Sequence, residues 1–523
     1  MGGKVKRAVL IFPRPISEMP TGFAYLNSVF KQKGYEVKAI VNTFKKNYSN
    51  EDILKIINEY EPSIIGINIG TLAILETYKL IKAIDKTKCI VIAGGPHATT
   101  CPEEVIKNGV DIVIRNEGEE TLAEVLDWVN GNTKNWLPGI LGISYINHIT
   151  YNGQIFHNPQ RPYIKDLKDL PTPDFSCFNY DDFKTSDGLI KGLHRIYCSR
   201  GCVGICSYCD SAIFGHKVRY RPINEIIEEI KFRYENYGIE SFIIADDTFT
   251  ASKKYVKEFC KALKDNNLPI IWGCSTRASA VNDEILQIMK DAGCYLIGFG
   301  IESGDPNSLK LMKKGITLEQ AHNAINTASK YGFRLYINLM VGFPWETEEA
   351  ILNQIKYIET HFNQVYVYQV SGSLVPYPGT GIYEDWKDKS NIKDWWLRPD
   401  YQNYGIQIHQ NSTEPFKLNT YYQRKLYDDT YVFEGKFFNY TKEYKNLVKK
   451  MAFLIGKRNL LSEEKSEIKR WVIYNLCKVS RVVYELSPNF EKKVIPLFIS
   501  LFNFKSKFHD HGPIGYVRRK ING

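Results

Sequence analysis

Nowhere in the 523-residue chain is there an apolar run approaching the eighteen or more residues that a membrane-spanning helix needs. The opening stretch, MGGKVKRAVLIFPRP, carries basic residues before a short apolar run, but that run ends at Pro13 and is too brief for a secretory signal core. It reads as a first buried strand. Cysteine is sparse outside one place: of eleven, four fall between Cys198 and Cys209, and seven are scattered at 89, 101, 177, 260, 274, 294 and 477. That spread excludes a secreted disulfide scaffold and points to a reducing, cytoplasmic compartment. Low-complexity and collagen-like segments are absent too, so the chain is globular. Its length suggests about three domains of roughly 150 residues.

Acidic residues run short only toward the C-terminus. From Lys436 to Gly523 there are 19 Lys and Arg against 7 Asp and Glu, so the net charge of +10 resides there and the rest is nearly neutral. A basic region of this kind suits an anionic substrate, a membrane surface or a nucleic acid.

The first part of the chain alternates apolar runs with helical periodicity. Strands are expected at Ala8–Phe12, Glu36–Val41, Ile64–Ile69, Cys89–Gly95 and Ile112–Asn116. Strands that alternate with helices predict an α/β fold, a parallel doubly wound (Rossmann-like) sheet whose ligand lies at the carboxyl ends of the strands. The loops there, including GGPHATT and NEGEET, are rich in small residues. A hairpin follows, then a linker with Pro159, Pro162, Pro171 and Pro173. From Leu193 six further strand-helix steps predict a partial (β/α)6 TIM-like barrel, with its chemistry at the strand carboxyl ends. The expected domains are therefore 1–150, a linker 151–190, a barrel 191–385, and a basic, aromatic, mostly helical region 386–523.

The cysteines lie at one of those strand ends, in YCSRGCVGICSYCD. Cys202-x-x-x-Cys206-x-x-Cys209 puts three thiolates on one tight loop, where they can converge on a soft metal centre, either an iron-sulfur cluster or zinc. A structural zinc site takes four protein ligands, usually in two separated pairs, and no second C-x-x-C or H-x-x-H pair is present. Spacing alone thus favours a cluster held by three cysteines, with one iron open to a small molecule. Cys198, four residues upstream, reads as a small buried filler.

This motif, with Tyr208 just before its last cysteine, resembles the signature of the radical S-adenosylmethionine (SAM) superfamily. Downstream pieces match in order: ADDTF at 245–249, STR at 275–277, GFGIESG at 298–304, MKKG at 312–315 and INLMVGFPWET at 337–347. The resemblance implies a four-iron four-sulfur cluster on Cys202, Cys206 and Cys209, the open iron binding SAM, and reductive release of a 5'-deoxyadenosyl radical. It places Tyr208 by the adenine, Asp246 and Asp247 where the SAM amine is accepted, Glu302 by the ribose or amine, Arg277 at the SAM carboxylate, and Val341 and Gly342 behind the adenine.

A doubly wound domain before such a barrel resembles the cobalamin (B12)-binding branch of this superfamily, whose class B-like members are methyltransferases. Thr71, Gly95, Pro96, His97, Gly118 and Glu119 are the implied cobalamin contacts. The D-x-H-x-x-G motif that would supply a cobalt-ligating histidine is replaced by PRPISEMPTG. His97 reads as a hydrogen-bonded loop histidine before it reads as a substitute ligand.

The expected function is cobalamin-dependent radical SAM methyl transfer to an unactivated carbon, or phosphorus, of a small-molecule or lipid-like substrate, with an electron donor such as flavodoxin or ferredoxin. Cyclisation, oxidation or rearrangement with the same cofactors is the alternative. A methylthiotransferase acting on RNA fits less well, because only Cys89 and Cys101 precede residue 130 and that class carries a second cluster on three N-terminal cysteines; nucleic acid is not an expected partner. In the C-terminal region, VIPLFISLFNF at 494–504 reads as a core helix first and as an interfacial membrane segment second. Tyr421, Tyr422, Tyr427, Tyr431, Phe437 and Phe438 are candidates for a lid over the barrel.

Overall fold

The computed structural model describes residues 5–16, 18–43, 46–133, 137–147, 153–184, 192–210, 213–401 and 437–463. Residues 494–504, the basic stretch beyond 463 and tyrosines 421, 422, 427 and 431 lie outside the described residues. Among those described, no helix is long and apolar enough to cross a membrane.

The first apolar runs pair as expected. Strands β1 (Lys6–Ile16), β2 (Tyr35–Thr43), β3 (Ile64–Asn68), β4 (Ile90–Gly94) and β5 (Ile112–Ile114) are all parallel, and β6 (Ile143–Asn147) and β7 (Gln154–His157) add an antiparallel hairpin. The sheet order is β2-β1-β3-β4-β5-β6-β7, so the winding direction switches between β1 and β3. Alternate residues of the central strands bury on opposite faces: Val9, Ile11 and Ile65 in one core, Ala8, Leu10 and Ile64 in another. This two-faced burial is why the strands read as continuous apolar runs. The sheet extends past the expected limit at residue 150, because β7 completes the hairpin. The expected linker is likewise part of this domain, since Phe175, Cys177, Phe178 and Phe183 pack into the core beside Ala8 and Leu10.

The second sheet is six-stranded and wholly parallel. It contains β8 (Arg195–Ile196), β11 (Ser241–Ile244), β12 (Ile271–Thr276), β13 (Cys294–Glu302), β14 (Arg334–Val341) and β15 (Val367–Ser373), in linear order. Between β8 and β11, a short ribbon of β9 (Ser199–Arg200) and β10 (Arg219–Tyr220) pairs antiparallel. Helices start where the sequence supplies caps: Thr317 with Gln320 forms a reciprocal capping box for Leu318–Lys330, and Asp305 caps Pro306–Leu311.

Beyond β15 the chain leaves the barrel and covers the first domain. Leu374, Ile382, Trp395, Trp396 and Phe437 share one core with Val9, Ile65 and Val105. Helix Lys442–Glu463 then returns to the barrel, where Tyr444, Val448 and Met451 bury against its wall. Phe437 and Phe438, expected in a lid, are core residues at 4% and 7% exposure. The indole of Trp395 is fully buried, 4.9 Å from the Phe437 ring, and donates to the Pro376 carbonyl at 2.8 Å. Trp395→Ala is expected to cost about 3–5 kcal/mol, read as a lower urea midpoint of the apoprotein; an unchanged midpoint would show that this segment does not clamp the domains.

Candidate active site

The cysteine loop begins where the first barrel strand gives way to the β9–β10 ribbon. Cys202 N–H donates to the Gly215 carbonyl at 3.2 Å, and Gly201 makes the turn at φ 94°. A side chain at Gly201 would put its Cβ 2.4 Å from the Lys217 carbonyl oxygen, so the position requires glycine. Ser207 N–H donates to the Met312 carbonyl at 2.9 Å, and Ile382 N–H to the Ser207 carbonyl at 2.7 Å. The loop is thereby held to the residue that closes helix Pro306–Leu311 and to the segment after β15.

Within it, the Cys202 sulfur accepts from Gly204 N–H at 3.4 Å and lies 3.6 Å from Thr248 Oγ1. Arg277 Nη1 points at the Cys206 sulfur from 3.9 Å. Desolvation, then the negative charge of Cys206, Asp247 and Cys202, pushes the Cys209 thiol up to about 12, while Lys314 acts the other way. Crowded thiols of this kind lose their protons to a metal centre.

The barrel's strand ends surround this loop. Asp246 at the end of β11 is buried and receives Cys198 N–H at 2.7 Å and the Ser199 hydroxyl at 2.6 Å. Both oxygens are thus occupied in tying β11 to the start of the cysteine loop, and burial pushes the carboxyl up to about 7. Of the two aspartates expected to receive the SAM amine, Asp246 is therefore a brace; Asp247 is exposed and close enough to raise the Cys209 thiol. Cys198, fully buried, is the filler expected of it.

Glu302 ends β13 at φ 70°, a strained conformation for glutamate. Its carboxylate is buried against Lys314 Nζ at 3.0 Å, and the same ammonium donates to the Tyr208 hydroxyl at 3.2 Å. Gly300 makes this possible, because a Cβ there would lie 2.7 Å from Glu302 Oε1 and 3.1 Å from Lys314 Nζ. Arg277 Nη2 donates to the Lys314 carbonyl. Two cations thus flank the loop where a thiolate-bound cluster and a carboxylate ligand would bring negative charge. Lys314 carries no distinguishing mark in the sequence, since it neighbours an identical lysine; only burial, at 6% against an exposed Lys313, separates them.

Tyr208 meets the Phe343 ring edge-on at 5.7 Å, and Phe343 stacks on Trp345 at 5.0 Å, forming an apolar wall beside Val341 and Gly342. Glu346 receives Gly342 N–H at 2.6 Å, Phe343 N–H at 3.1 Å and the Tyr444 hydroxyl at 2.7 Å. The C-terminal helix therefore braces the turn expected to back the adenine, a link between residues about a hundred apart that no local pattern announces.

In the first domain a cavity of ≈ 180 Å³ opens at the carboxyl ends of β3, β4 and β5, lined among others by Gly94, Gly95, Gly118, Glu119 and Asn116. It is smaller than the roughly 300–1,000 Å³ that encloses a drug-sized ligand. Gly66, also in the lining, is held to glycine by packing, since a Cβ there would strike Leu10 Cδ2 at 2.7 Å. Of the residues implied as cobalamin contacts, Gly95, Gly118 and Glu119 line this cavity, and Thr71, Pro96 and His97 lie outside it. Gly95 (φ 100°) and Pro96 at the first helical position turn the chain onto the opposite face of the sheet. There His97 is fully buried, with Nδ1 3.1 Å from Thr71 Oγ1 and Nε2 3.3 Å from Glu104 Oε1, so both ring nitrogens are engaged.

The radical SAM superfamily profile matches residues 196–358, and the B12 binding domain profile matches 13–126. The uncharacterized methyltransferase PH0819 of Pyrococcus horikoshii is 33% identical over 399 residues, 73% of this chain and 83% of that protein. The chain belongs to the radical SAM superfamily, in its B12-binding branch. Its cofactors are accordingly a four-iron four-sulfur cluster, S-adenosylmethionine and cobalamin. A second relative of this radical SAM enzyme is the cytidylyl-2-hydroxyethylphosphonate methyltransferase of Streptomyces wedmorensis, 26% identical over 379 residues, 63% of this chain and 70% of that one. The fold is shared with the cobalamin-dependent radical enzyme OxsB, solved with aqua-cobalamin bound, at a TM-score of 0.66 and 16% identity over 98% of this chain and 76% of that one.

The Glu346 brace titrates in an accessible range. Burial pushes its carboxyl from 4.5 up to about 7, against the pull of its three donors. A carboxyl raised on folding contributes stability that is full below its unfolded pKa and is lost as pH rises toward the folded value. Relative to Glu346→Gln, the wild-type apoprotein is expected to lose stability between about pH 4.5 and pH 7, by on the order of 2–3 kcal/mol, in parallel urea titrations; a constant difference across that window would contradict the assignment.

Proposed function

We propose that this chain is a cobalamin-dependent radical SAM methyltransferase that carries a methyl group to an unactivated carbon, or to phosphorus, of a small-molecule substrate. The carrying observation is that the loop lining the B12 cavity and the strand leading to the cysteines touch directly: Glu117 and Glu119 pair with Arg200, two residues before Cys202. The relatives' methyltransferase names, one of them for a phosphonate, agree with this reading.

When bound, the cluster with SAM supplies a carbon radical and cobalamin supplies the methyl group. The chain's own part is positioning and exclusion. Cys202, Cys206 and Cys209 would hold the cluster; Arg277 and Lys314 would offer positive charge to the SAM carboxylate; Asp247 and Glu302 would serve its amine and ribose. Tyr208, Val341 and Gly342 form the apolar wall against which the adenine is shielded from water. A one-electron donor such as flavodoxin or ferredoxin serves the cluster, in the cytoplasm.

Anaerobic reconstitution is expected to give one sample that holds iron and cobalt, cleaves SAM, and yields a product one methylene heavier with S-adenosylhomocysteine beside 5'-deoxyadenosine. Replacing Cys202, Cys206 and Cys209 together by alanine should abolish the brown chromophore and SAM cleavage. Retention of both would refute the cluster assignment, and a product of unchanged mass or two hydrogens lighter would replace methyl transfer by rearrangement, cyclisation or oxidation.

A further inference from the structure

The contact between the cobalamin domain and the cysteine loop is a closed group of four charges. Arg200 donates to Glu117 Oε1 at 3.0 Å and pairs with both oxygens of Glu119. Arg219, its partner across the β9–β10 ribbon, donates to Glu117 Oε1 and Oε2 at 3.0 and 2.8 Å, to the Ile164 carbonyl at 2.7 Å and to the Phe214 carbonyl at 2.9 Å. Glu117 also receives Ile164 N–H at 2.8 Å. The four side chains are only 4–12% exposed. The Arg200 guanidinium lies between two rings, Tyr25 of the first domain at 5.2 Å and Phe214 of the cysteine loop at 5.4 Å.

Two features make this more than an interdomain clasp. Glu117, Glu119, Arg200 and Phe214 all line the cavity between β4, β5 and helix Thr21–Gln32, so the cluster is part of its wall. The segment that carries the three cysteine ligands begins at Arg200 and ends at Phe214 and Gly215. Both ends of the cluster-bearing loop are therefore wall elements of the B12 cavity. Closing the three thiols around a metal centre limits the conformations of the segment between these ends, and so limits where Arg200 and Phe214 can lie. A ligand that needs that wall formed must bind more tightly when the loop is already ordered, and by linkage the reverse holds.

We propose that Arg200, held by Glu119 and Glu117, is a positioning residue that couples the two sites, so that cobalamin binds more tightly to the cluster-loaded protein than to the same chain without iron. Charge alone does not account for it: the group is balanced, two carboxylates against two guanidiniums, so its role is geometric. Arg200 does not touch the cysteine sulfurs or the reacting atoms.

This inference rests on the cofactor set above, and its test separates the two. Hydroxocobalamin is titrated by equilibrium dialysis into anaerobic full-length protein with the cluster reconstituted and into iron-free protein. The coupling predicts an affinity at least about five-fold higher for the loaded form, the lower end of ordinary coupling energies. Glu119→Gln keeps the side chain's shape and leaves the Glu117–Arg219 pair in place; there the ratio should fall to within about two-fold of unity while iron content stays that of wild type. Equal affinities in the two wild-type forms would overturn the coupling while leaving the cofactor assignment standing. An undiminished ratio in Glu119→Gln would overturn the role given to Arg200. Failure of either form to bind hydroxocobalamin would overturn the cobalamin reading itself.

Discussion

The buried pairing of Glu117 and Glu119 with Arg200 and Arg219 fixes how the two sheets face each other, and the rest of the site depends on it. A buried ion pair repays its desolvation only when every partner is satisfied. Here backbone groups at Ile164 and Phe214 complete the shell, and two aromatic rings enclose the Arg200 guanidinium. An apolar contact could slide; a four-membered group with this many directed bonds has one docking geometry. The carboxyl ends of the parallel strands of both sheets consequently share one interior, in which Phe343 and Met312 from the barrel's loops join the same core as Leu72 and Ala98 from the first domain's.

Within that interior, space and charge are arranged around the cysteine loop. Glycines at 201, 298 and 300 are absences of side chain with separate uses: a turn that admits no Cβ, close approach of the Ser275 hydroxyl to β13, and room for the Glu302–Lys314 pair to fold against its own strand. Arg277 and Lys314 are linked through the Lys314 carbonyl, so displacing one disturbs the other. The outer braces, Asp246 on the loop's entry and Glu346 with Tyr444 on the turn beside Phe343, hold the loop and its apolar wall from behind. Strand-end chemistry needs this backing, because a ligand set carried on loops is only as well placed as the groups that anchor them.

The strands and the metal motif were legible in the sequence because both are local. Five apolar runs of the first sheet and the six of the barrel announce themselves by composition, and C-x-x-x-C-x-x-C needs no partner elsewhere in the chain. What was not legible is pairing across distance. Arg200 reads as one more basic residue until Glu117 and Glu119 are set beside it, Tyr444 as part of an aromatic tail until its hydroxyl reaches Glu346, and Asp246 as a ligand acceptor until the Cys198 amide takes one of its oxygens. The side of the sheet taken by the loop after β4 is not legible either: the positive φ at Gly95 and the proline after it turn that loop to the face away from the cavity, a choice that composition does not record.

If both cofactors share one chamber between facing strand ends, their paramagnetic centres lie close enough to interact. Electron paramagnetic resonance on protein loaded with cob(II)alamin and a reduced cluster tests this most directly. The cob(II)alamin signal should relax faster and broaden when the cluster is paramagnetic, and recover its isolated line shape when the cluster is oxidised. A cob(II)alamin spectrum indifferent to the cluster's oxidation state, at full occupancy of both, would contradict it.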